Sequence, residues 1–205
     1  MVGRLATLMS RYPLLLPCEE DIQTAYERMR DSFKTGGRLY VFGNGGSAAD
    51  ALHIVGELGK SFILPREVDP EFAARVDRQL WEKLQGALPV YALVENSALT
   101  SAYANDVDPD FVFAQQVYAY ARSGDCVLGI STSGNSRNVL YALHTAKGRG
   151  AVTIGLSGRD GGAMKELCDV CIVVPAAETY QIQELHLPVY HTLCMMLEES
   201  FWGKR

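Results

Sequence analysis

The sequence lacks any long hydrophobic run. No apolar stretch in its 205 residues approaches the roughly 20 residues that a helix needs to cross a bilayer. The short patch PLLLP at residues 13–17 is interrupted by prolines and precedes no small-residue cleavage site, so it does not predict a signal peptide. We therefore expect no membrane partner.

Positive charge is also scarce. The chain has 19 lysines and arginines against 24 aspartates and glutamates, and its formal net charge is −5. A nucleic-acid-binding domain normally presents a basic face. The charge balance therefore predicts no nucleic-acid partner.

Cysteine is present only five times, and the odd number indicates a reducing compartment rather than a disulfide framework. The chain is therefore predicted to be cytoplasmic. Cys168 and Cys171 form a C-x-x-C pattern, but no second pair or suitably spaced histidines accompany it, as a zinc site would need. A thioredoxin-like pair would begin a helix, whereas the residues from Val170 onward are typical of a strand. We interpret the pair as buried thiols at a helix-to-strand junction.

Five short apolar runs of strand length are present, and each is almost continuously hydrophobic. Strands of a parallel sheet covered on both faces have this character. The runs are Leu39–Phe42, Pro89–Val94, Cys126–Ser131, Val152–Leu156 and Val170–Val174.

Stretches with helical periodicity precede, separate and follow these runs. They are residues 5–34, Ala48–Gly59, Pro109–Arg122, Arg137–Gly148, Ala163–Leu167 and a long closing segment, Thr179–Phe201. Alternation of strands and helices predicts an α/β fold: a single doubly wound domain over residues 1–205 with a five-stranded parallel sheet. Residues 1–36 form its N-terminal helical segment.

Residues 63–88 interrupt this alternation and are predicted to be an inserted, helical segment. Asp69 and Pro70 make a helix start. Apolar side chains then recur at helical spacing, at Phe72, Val76, Leu80 and Leu84. The pattern favours a surface helix packed by one apolar face over a lid that covers a site.

Two unusual loops follow predicted strands, where ligands bind to open parallel sheets. The first, GNGGS at Gly43–Ser47, contains neither G-x-G-x-x-G nor G-K-[ST], so hydrolysis of a nucleoside triphosphate is disfavoured. The second, STSGNS at Ser131–Ser136, supplies four hydroxyls and leads directly into a helix. Backbone N–H groups and the helix dipole there predict a phosphate site. The hydroxyls could also cap the helix, but four are more than capping needs.

His53 and Glu57 share one face of the helix after the first loop, because they are four residues apart. They could ligate one metal ion or form a surface hydrogen-bonded pair. On the closing helix, Gln183 and His191 are eight residues apart, about 12 Å along the axis. They could meet at one point only by leaning together or by coming from different subunits. His186, between them, is interpreted as structural.

These motifs together resemble a known family. The chain is similar to sugar isomerase (SIS) domain proteins of the phosphoheptose isomerase group over nearly its whole length, apart from the insertion. The matching motifs are GNGGSAADALHIVGE at 43–57, AND at 104–106, GISTSGNS at 129–136, GRDGG at 158–162 and IQELHLPVYH at 182–191.

The resemblance implies roles for individual residues. Glu57 and His191 are implied to move protons. Zinc is implied as the cofactor, one ion per site, with His53, Glu57, Gln183 and His191 as ligands. The residues implied to contact the sugar phosphate are Asn44, Gly45, Gly46, Ser47, Asn105, Asp106, Ser131, Thr132, Ser133, Ser136 and Gln183. The resemblance also implies a homotetramer with sites between subunits.

The function that the resemblance implies is aldose–ketose isomerisation of sedoheptulose 7-phosphate to D-glycero-D-manno-heptose 7-phosphate. The alternative is a non-catalytic SIS-domain regulator that binds a phosphosugar. Such a regulator would need Ser131–Ser136 but has no use for His53, Glu57 and His191 together. Replication-initiator-associating proteins share the fold and both loops but lack a glutamate at position 57, so they are the weakest alternative.

Overall fold

The computed structural model describes residues 3–203, and the first two and last two positions of the predicted domain lie outside the described residues. Five parallel strands form one sheet in the order β2-β1-β3-β4-β5. Their bounds are β1 (Leu39–Gly43), β2 (Val90–Ala92), β3 (Cys126–Ile130), β4 (Val152–Ser157) and β5 (Val170–Val173). The predicted α/β class and five-stranded parallel sheet are confirmed.

The helices surround this sheet and include the predicted N-terminal helices and long closing helix. They are α1 (Arg4–Arg11), α2 (Glu19–Lys34), α3 (Gly46–Leu58), α4 (Pro70–Ala73), α5 (Arg78–Trp81), α6 (Ser97–Asp106), α7 (Val112–Tyr120), α8 (Arg137–Gly148), α9 (Gly162–Leu167) and α10 (Thr179–Trp202), with 3₁₀ turns at Pro13–Cys18 and Pro109–Phe111. Within residues 3–203, no helix combines the length and the apolar character needed to cross a membrane.

Helices cover both faces of the sheet, which explains the continuous hydrophobicity of the strands. Leu39 and Val41 of β1 pack in a core with side chains of α1, α2, α3 and α10. The alternate residues Tyr40 and Phe42 point to the other face and pack with α7 and α8. Phe42 stacks on Phe113 of α7 with ring centroids 5.2 Å apart.

The strand order creates a switch point beside β1. From β1 the chain passes to β2 on one side and then to β3 on the other, so the carboxyl ends of β1 and β3 are neighbours. Gly43 pairs with Ile130 in register at this end. Ligands of doubly wound sheets bind where the strand order reverses. Both predicted loops therefore begin at one place in the molecule.

The insertion contains two single-turn helices, α4 and α5, instead of the one packed helix that the spacing predicts. Asp69 does start α4, because its side chain accepts a hydrogen bond from the Glu71 N–H at 2.8 Å. The apolar side chains remain exposed, by 40% at Phe72, 59% at Leu80 and 53% at Leu84. They do not lie on one buried face, so helical spacing alone did not sustain a longer helix.

A buried ion pair fixes the start of the insertion to α10. The Arg66 Nε donates to Glu198 Oε1 at 2.7 Å, and neither side chain is exposed to solvent. Glu198 also accepts hydrogen bonds from the backbone N–H groups of residues 62, 63 and 64. Arg66 donates to the carbonyl oxygens of Glu57 and Leu58, both at 2.7 Å. The segment after α3 is thereby held against the closing helix.

Cys168 and Cys171 lie at the junction between α9 and β5, as interpreted from the sequence. Both thiols are free, and burial raises the pKa of Cys171 to about 12. A thiol with so high a pKa is protonated at neutral pH and is a poor nucleophile or metal ligand. The pair is therefore structural.

Candidate active site

The STSGNS loop forms a tight turn after β3. The Ser131 and Ser136 Oγ atoms lie 3.0 Å apart, and the Gly134 N–H donates to the Ser131 carbonyl oxygen at 3.0 Å. Gly134 has φ +65°, and a Cβ there would overlap the Gly161 carbonyl oxygen of the GRDGG motif. Only glycine fits this position, so the second motif packs directly on the first loop.

The hydroxyl of Ser136 does not cap α8. Ser136 occupies the N-cap position but makes no side-chain capping hydrogen bond, and its hydroxyl contacts Ser131 instead. The first N–H groups of a helix have no partner within the helix. Uncapped N–H groups, the positive end of the helix dipole and the hydroxyls of Thr132 and Ser133 are the donors that a phosphate binds. This arrangement favours the phosphate interpretation over capping.

Two side-chain amides join the GNGGS loop to the helix that follows the STSGNS loop. Asn44 and Asn138 exchange two side-chain hydrogen bonds, each 2.9 Å long. Gly45 then turns the chain into α3 with φ +56° and ψ −119°. Asn138 was not among the predicted site residues. Its position on the first turn of the helix after STSGNS was the signal that could have identified it.

Gln183 of α10 lies against the start of α3. A Cβ built on Gly46 would come within 2.5 Å of the Gln183 Nε2. The structure therefore brings Gln183 to the GNGGS loop, where Ser47 is 4% exposed. The absence of a side chain at position 46 leaves room for this amide.

His53, Glu57 and His191 form a compact cluster on α3 and α10. The His53 Nε2 lies 3.1 Å from Glu57 Oε1 and 3.3 Å from the His191 Nε2. The His53 side chain is 41% exposed and that of Glu57 15% exposed. Three groups with acid–base and metal-binding chemistry thus converge at a partly open position.

The two helices place this cluster apart from the loops. Gln183 meets Gly46, and eight residues later His191 meets His53, so α3 and α10 run side by side in the same direction. Seven residues of helix separate Gly46 from His53, roughly 10 Å. The loops and the cluster therefore form two ends of one elongated site.

Burial affects the acid–base properties of the cluster. It lowers the pKa of His191, and the neighbouring His53 acts in the same direction, while Glu57 opposes both. His191 is therefore neutral at neutral pH and can both donate and accept a proton. Lys60 Nζ lies 3.9 Å from Glu57 Oε2 and forms an ion pair with it.

The cluster has the donors of a metal site. Ligand atoms of His53, Glu57 and His191 all lie within 4.8 Å of one another. Glu57 Oε2 is buried and makes no hydrogen bond to any residue of the described chain. Imidazole nitrogens and a carboxylate oxygen are ligands that zinc accepts. These residues fit a zinc ion.

A cavity of about 380 Å³ opens beside His191. Phe62 and the α1 residues Thr7 and Arg11 contribute to its wall. The N-terminal segment was predicted from helical periodicity alone, yet it borders the cluster. Space for a ligand therefore extends from His191 toward α1.

Asn105 and Asp106 end α6, and the Asn105 Nδ2 donates to Asp106 Oδ1 at 2.8 Å. Both residues are exposed. Among residues 3–203, neither side chain hydrogen-bonds to the two loops or to the histidine cluster. Their predicted contact with substrate is not preformed within one chain.

Comparison with known proteins supports the interpretation of these motifs. A family model described as SIS domain matches residues 16–158. The phosphoheptose isomerase of Nitratiruptor sp. is 45% identical over 172 residues, which cover 83% of this chain and 81% of that protein. The chain belongs to the phosphoheptose isomerase family of SIS domain proteins. The family member of Trichlorobacter lovleyi is 41% identical over 177 residues, 86% of this chain and 81% of the relative.

A solved structure of the family has the same architecture. The phosphoheptose isomerase of Neisseria gonorrhoeae superimposes with a TM-score of 0.73 at 30% sequence identity. The match covers 94% of this chain and 97% of the other. Family membership thus rests on sequence and on fold.

Proposed function

We propose that the protein isomerises a sugar phosphate between its ketose and aldose forms, converting sedoheptulose 7-phosphate to D-glycero-D-manno-heptose 7-phosphate. The single observation that carries this proposal is the convergence of His53, Glu57 and His191 at one end of a site whose other end is the pair of loops at the switch point. A phosphosugar-binding regulator has no use for such a cluster. Membership of the phosphoheptose isomerase family supports the same conclusion.

In this proposal the phosphate binds at Ser131–Ser136. The uncapped start of α8 and the hydroxyls supply hydrogen-bond donors. The carbon chain is held by Gln183 and by the GNGGS residues Asn44, Gly45, Gly46 and Ser47. Asn105 and Asp106 contact substrate only in the assembled enzyme. Binding the phosphate at one end fixes the reacting carbons at the other.

Glu57 and His191 move the protons. Glu57 takes a proton from C1 of the ketose, the electron pair forms the C1–C2 double bond, and His191 gives a proton to the C2 oxygen. The product of this step is an enediol. Return of the carbon-bound proton to C2 and loss of the proton on the C1 oxygen give the aldose. A carboxylate and an imidazole are both suited to general acid–base catalysis.

Zinc is the proposed cofactor. His53, Glu57 and His191 would hold it. Gln183 of the same chain lies at Gly46, roughly 10 Å along α3 from His53, so the proposed fourth ligand is a Gln183 contributed by a neighbouring subunit. When bound, the ion polarises the substrate carbonyl as a Lewis acid. We expect a chelator to abolish turnover and added zinc to restore it, measured on the dialysed protein. Full activity of protein from which all metal has been removed would contradict this role.

The first experiment is turnover of sedoheptulose 7-phosphate by wild type and by Glu57→Gln, with formation of the aldose followed. The variant keeps the shape of the side chain but removes the base, so we expect turnover to fall by at least about 100-fold. Binding of inorganic phosphate should be unchanged. The matched control is Glu27→Gln, an exposed glutamate on α2. Normal turnover by Glu57→Gln would remove Glu57 as the base, and no turnover by wild type would contradict the proposed reaction.

We also propose that residues 1–205 form one domain and that four copies assemble with sites at their interfaces. Large apolar side chains flank the site on α3 and α10, with Leu52 40%, Leu187 39% and Tyr180 61% exposed. Light scattering should give four times the chain mass, and a monomer would contradict the assembly.

The five free thiols support a cytoplasmic location.

A further inference from the structure

A buried tyrosine connects the cluster to an acidic residue that the proposed reaction does not use. Tyr190 is 2% exposed and lies next to His191 in the chain. Its hydroxyl is 3.0 Å from the His53 Nδ1 and 3.1 Å from Asp50 Oδ1. The three residues form a hydrogen-bonded chain that ends at a proposed zinc ligand.

The direction of these hydrogen bonds follows from the number of protons. A tyrosine hydroxyl has one proton, and an ionised carboxylate can only accept. Tyr190 therefore donates to Asp50, and its oxygen is free to accept from the His53 Nδ1–H, while Glu57 competes for the same ring proton at Nε2. A neutral imidazole carries only one N–H, so when Nδ1 donates to Tyr190 the His53 Nε2 is left with a lone pair. That atom faces Glu57 and His191.

Asp50 is suited to hold the hydroxyl in this orientation. Its Oδ2 is buried without a hydrogen-bond partner in the described chain, so the hydrogen bond from Tyr190 to Oδ1 is what holds the carboxylate in place. Burial raises the pKa of Asp50, while the hydrogen bond from Tyr190 lowers it. A protonated Asp50 would itself donate to Tyr190 and reverse the orientation. The test is therefore made above pH 8, where an ordinary carboxyl group is ionised.

We infer that Tyr190, oriented by Asp50, is a positioning residue that keeps His53 in its Nδ1–H form and so presents a bare Nε2 to zinc. Metal-binding histidines generally donate their second N–H to a partner that fixes the ring and its tautomer. Here a tyrosine hydroxyl performs that role and passes the hydrogen bond to a carboxylate. The inference rests on the proposed zinc site.

The direct test is nitrogen NMR of the histidine side chains in metal-free protein at about pH 8.5, where unperturbed imidazoles are neutral. Wild type should show His53 as the Nδ1–H tautomer, with its signals identified by their loss in His53→Gln. Tyr190→Phe should shift His53 toward the Nε2–H form, which can donate to Glu57. An Nε2–H tautomer in wild type, or no change in the variant, would overturn the inference.

His186 provides an internal reference in the same spectrum. Its Nε2 lies 3.1 Å from the Ser157 carbonyl oxygen, which can only accept. His186 must therefore be the Nε2–H tautomer, opposite to that expected for His53. The two forms can be compared within one sample.

The second measurement is zinc affinity, by competition with a chromogenic chelator. Loss of a residue that orients a metal ligand weakens binding by about 10–100-fold, which we expect for Tyr190→Phe. Tyr26→Phe is the matched control, because it removes a hydroxyl that lies away from the site and is hydrogen-bonded to the Ser200 hydroxyl, 2.6 Å from it. Its affinity should equal that of wild type.

Asp50→Asn distinguishes orientation from packing. Asp50 acts through Tyr190, so adding Asp50→Asn to Tyr190→Phe should change zinc affinity by less than about 3-fold, well below the sum of independent effects. Strictly additive losses would contradict the relay. Tight zinc binding by wild type that Tyr190→Phe leaves unchanged would overturn the role of Tyr190 alone, whereas no zinc binding by wild type would overturn the zinc site and this role together.

Discussion

His186 and His191 stand five positions apart on α10, yet their surroundings give them different chemistry. His191 reaches the cluster and a cavity, whereas His186 is completely buried and hydrogen-bonded to the Ser157 carbonyl oxygen. Sequence reasoning separated the two correctly by treating His186 as structural. The spacing on the helix alone does not tell which imidazole meets α3.

The buried His186 should make stability depend on pH. Burial lowers its pKa to about 4, against about 6.5 in an unfolded chain. Between these values the unfolded state binds a proton that the folded state does not, so stability falls as pH falls from 6.5 to 4. The contribution is up to about 3 kcal/mol of unfolding free energy, and it is fully present above pH 6.5.

Denaturant unfolding between pH 4 and 8 can isolate this contribution. His186→Gln keeps a donor for the Ser157 carbonyl oxygen but does not titrate, so its stability should fall less steeply toward low pH. His144→Gln, at an exposed position on α8, is the control and should retain the wild-type slope. Equal slopes in wild type and His186→Gln would contradict the assignment.

At the scale of elements, α3 carries both ends of the proposed site. Its first turn meets Gln183, and His53 and Glu57 follow on the next turns. The helix contains two glycines with opposite surroundings. A Cβ at Gly46 would meet Gln183, while nothing lies within 4 Å of a Cβ at Gly56.

We expect Gly46→Ala to displace the Gln183 amide and weaken sugar-phosphate binding by about tenfold, the effect of losing about 1.4 kcal/mol. Because the contact is with the end of a flexible side chain, the protein should still fold. Gly56→Ala should leave binding unchanged and stabilise the helix by up to about 1 kcal/mol. Calorimetric titration and thermal unfolding measure the two effects. Unchanged binding in Gly46→Ala would show that sugar-phosphate binding does not depend on the position of the Gln183 amide.

Helix α6 was not predicted, and the insertion was predicted as one packed helix. Both errors have the same origin. No residue of α6 is buried, so the helix has no apolar stripe for sequence periodicity to detect. The insertion has such a stripe in Phe72, Leu80 and Leu84, but the structure leaves these side chains exposed. Periodicity predicts a helix only where one face is packed against the rest of the protein.

At the scale of the whole molecule, the Arg66–Glu198 pair joins the insertion, α3 and α10. Although burial alone would raise it, backbone N–H donors and Arg66 hold the pKa of Glu198 below its usual range. Arg66 also lies over the Trp202 ring, 4.9 Å from its centroid. The pair is thus surrounded by groups that compensate for its burial.

Removing one partner should leave an uncompensated buried charge. We expect Arg66→Met to lower the free energy of unfolding by about 3–5 kcal/mol, measured in urea. Glu82→Gln breaks the exposed Arg78–Glu82 pair in the same insertion and should cost about 0.5 kcal/mol or less. Equal effects of the two substitutions would contradict a structural role for the buried pair.

The sequence by itself determined the α/β class, the strands and the two loops, because these depend on local apolar runs and on glycine and hydroxyl residues at strand ends. It also determined that His53 and Glu57 share a face, since their spacing on one helix fixes it. These features involve neighbours along the chain.

Only the tertiary structure decided which distant residues meet. His191 reaches His53 across 138 positions, and Arg66 reaches Glu198 across 132. Asn138 and Tyr190 entered the site in the same way, through packing of α8 and α10 against other elements. Such contacts depend on how helices pack on the sheet, which no local pattern specifies.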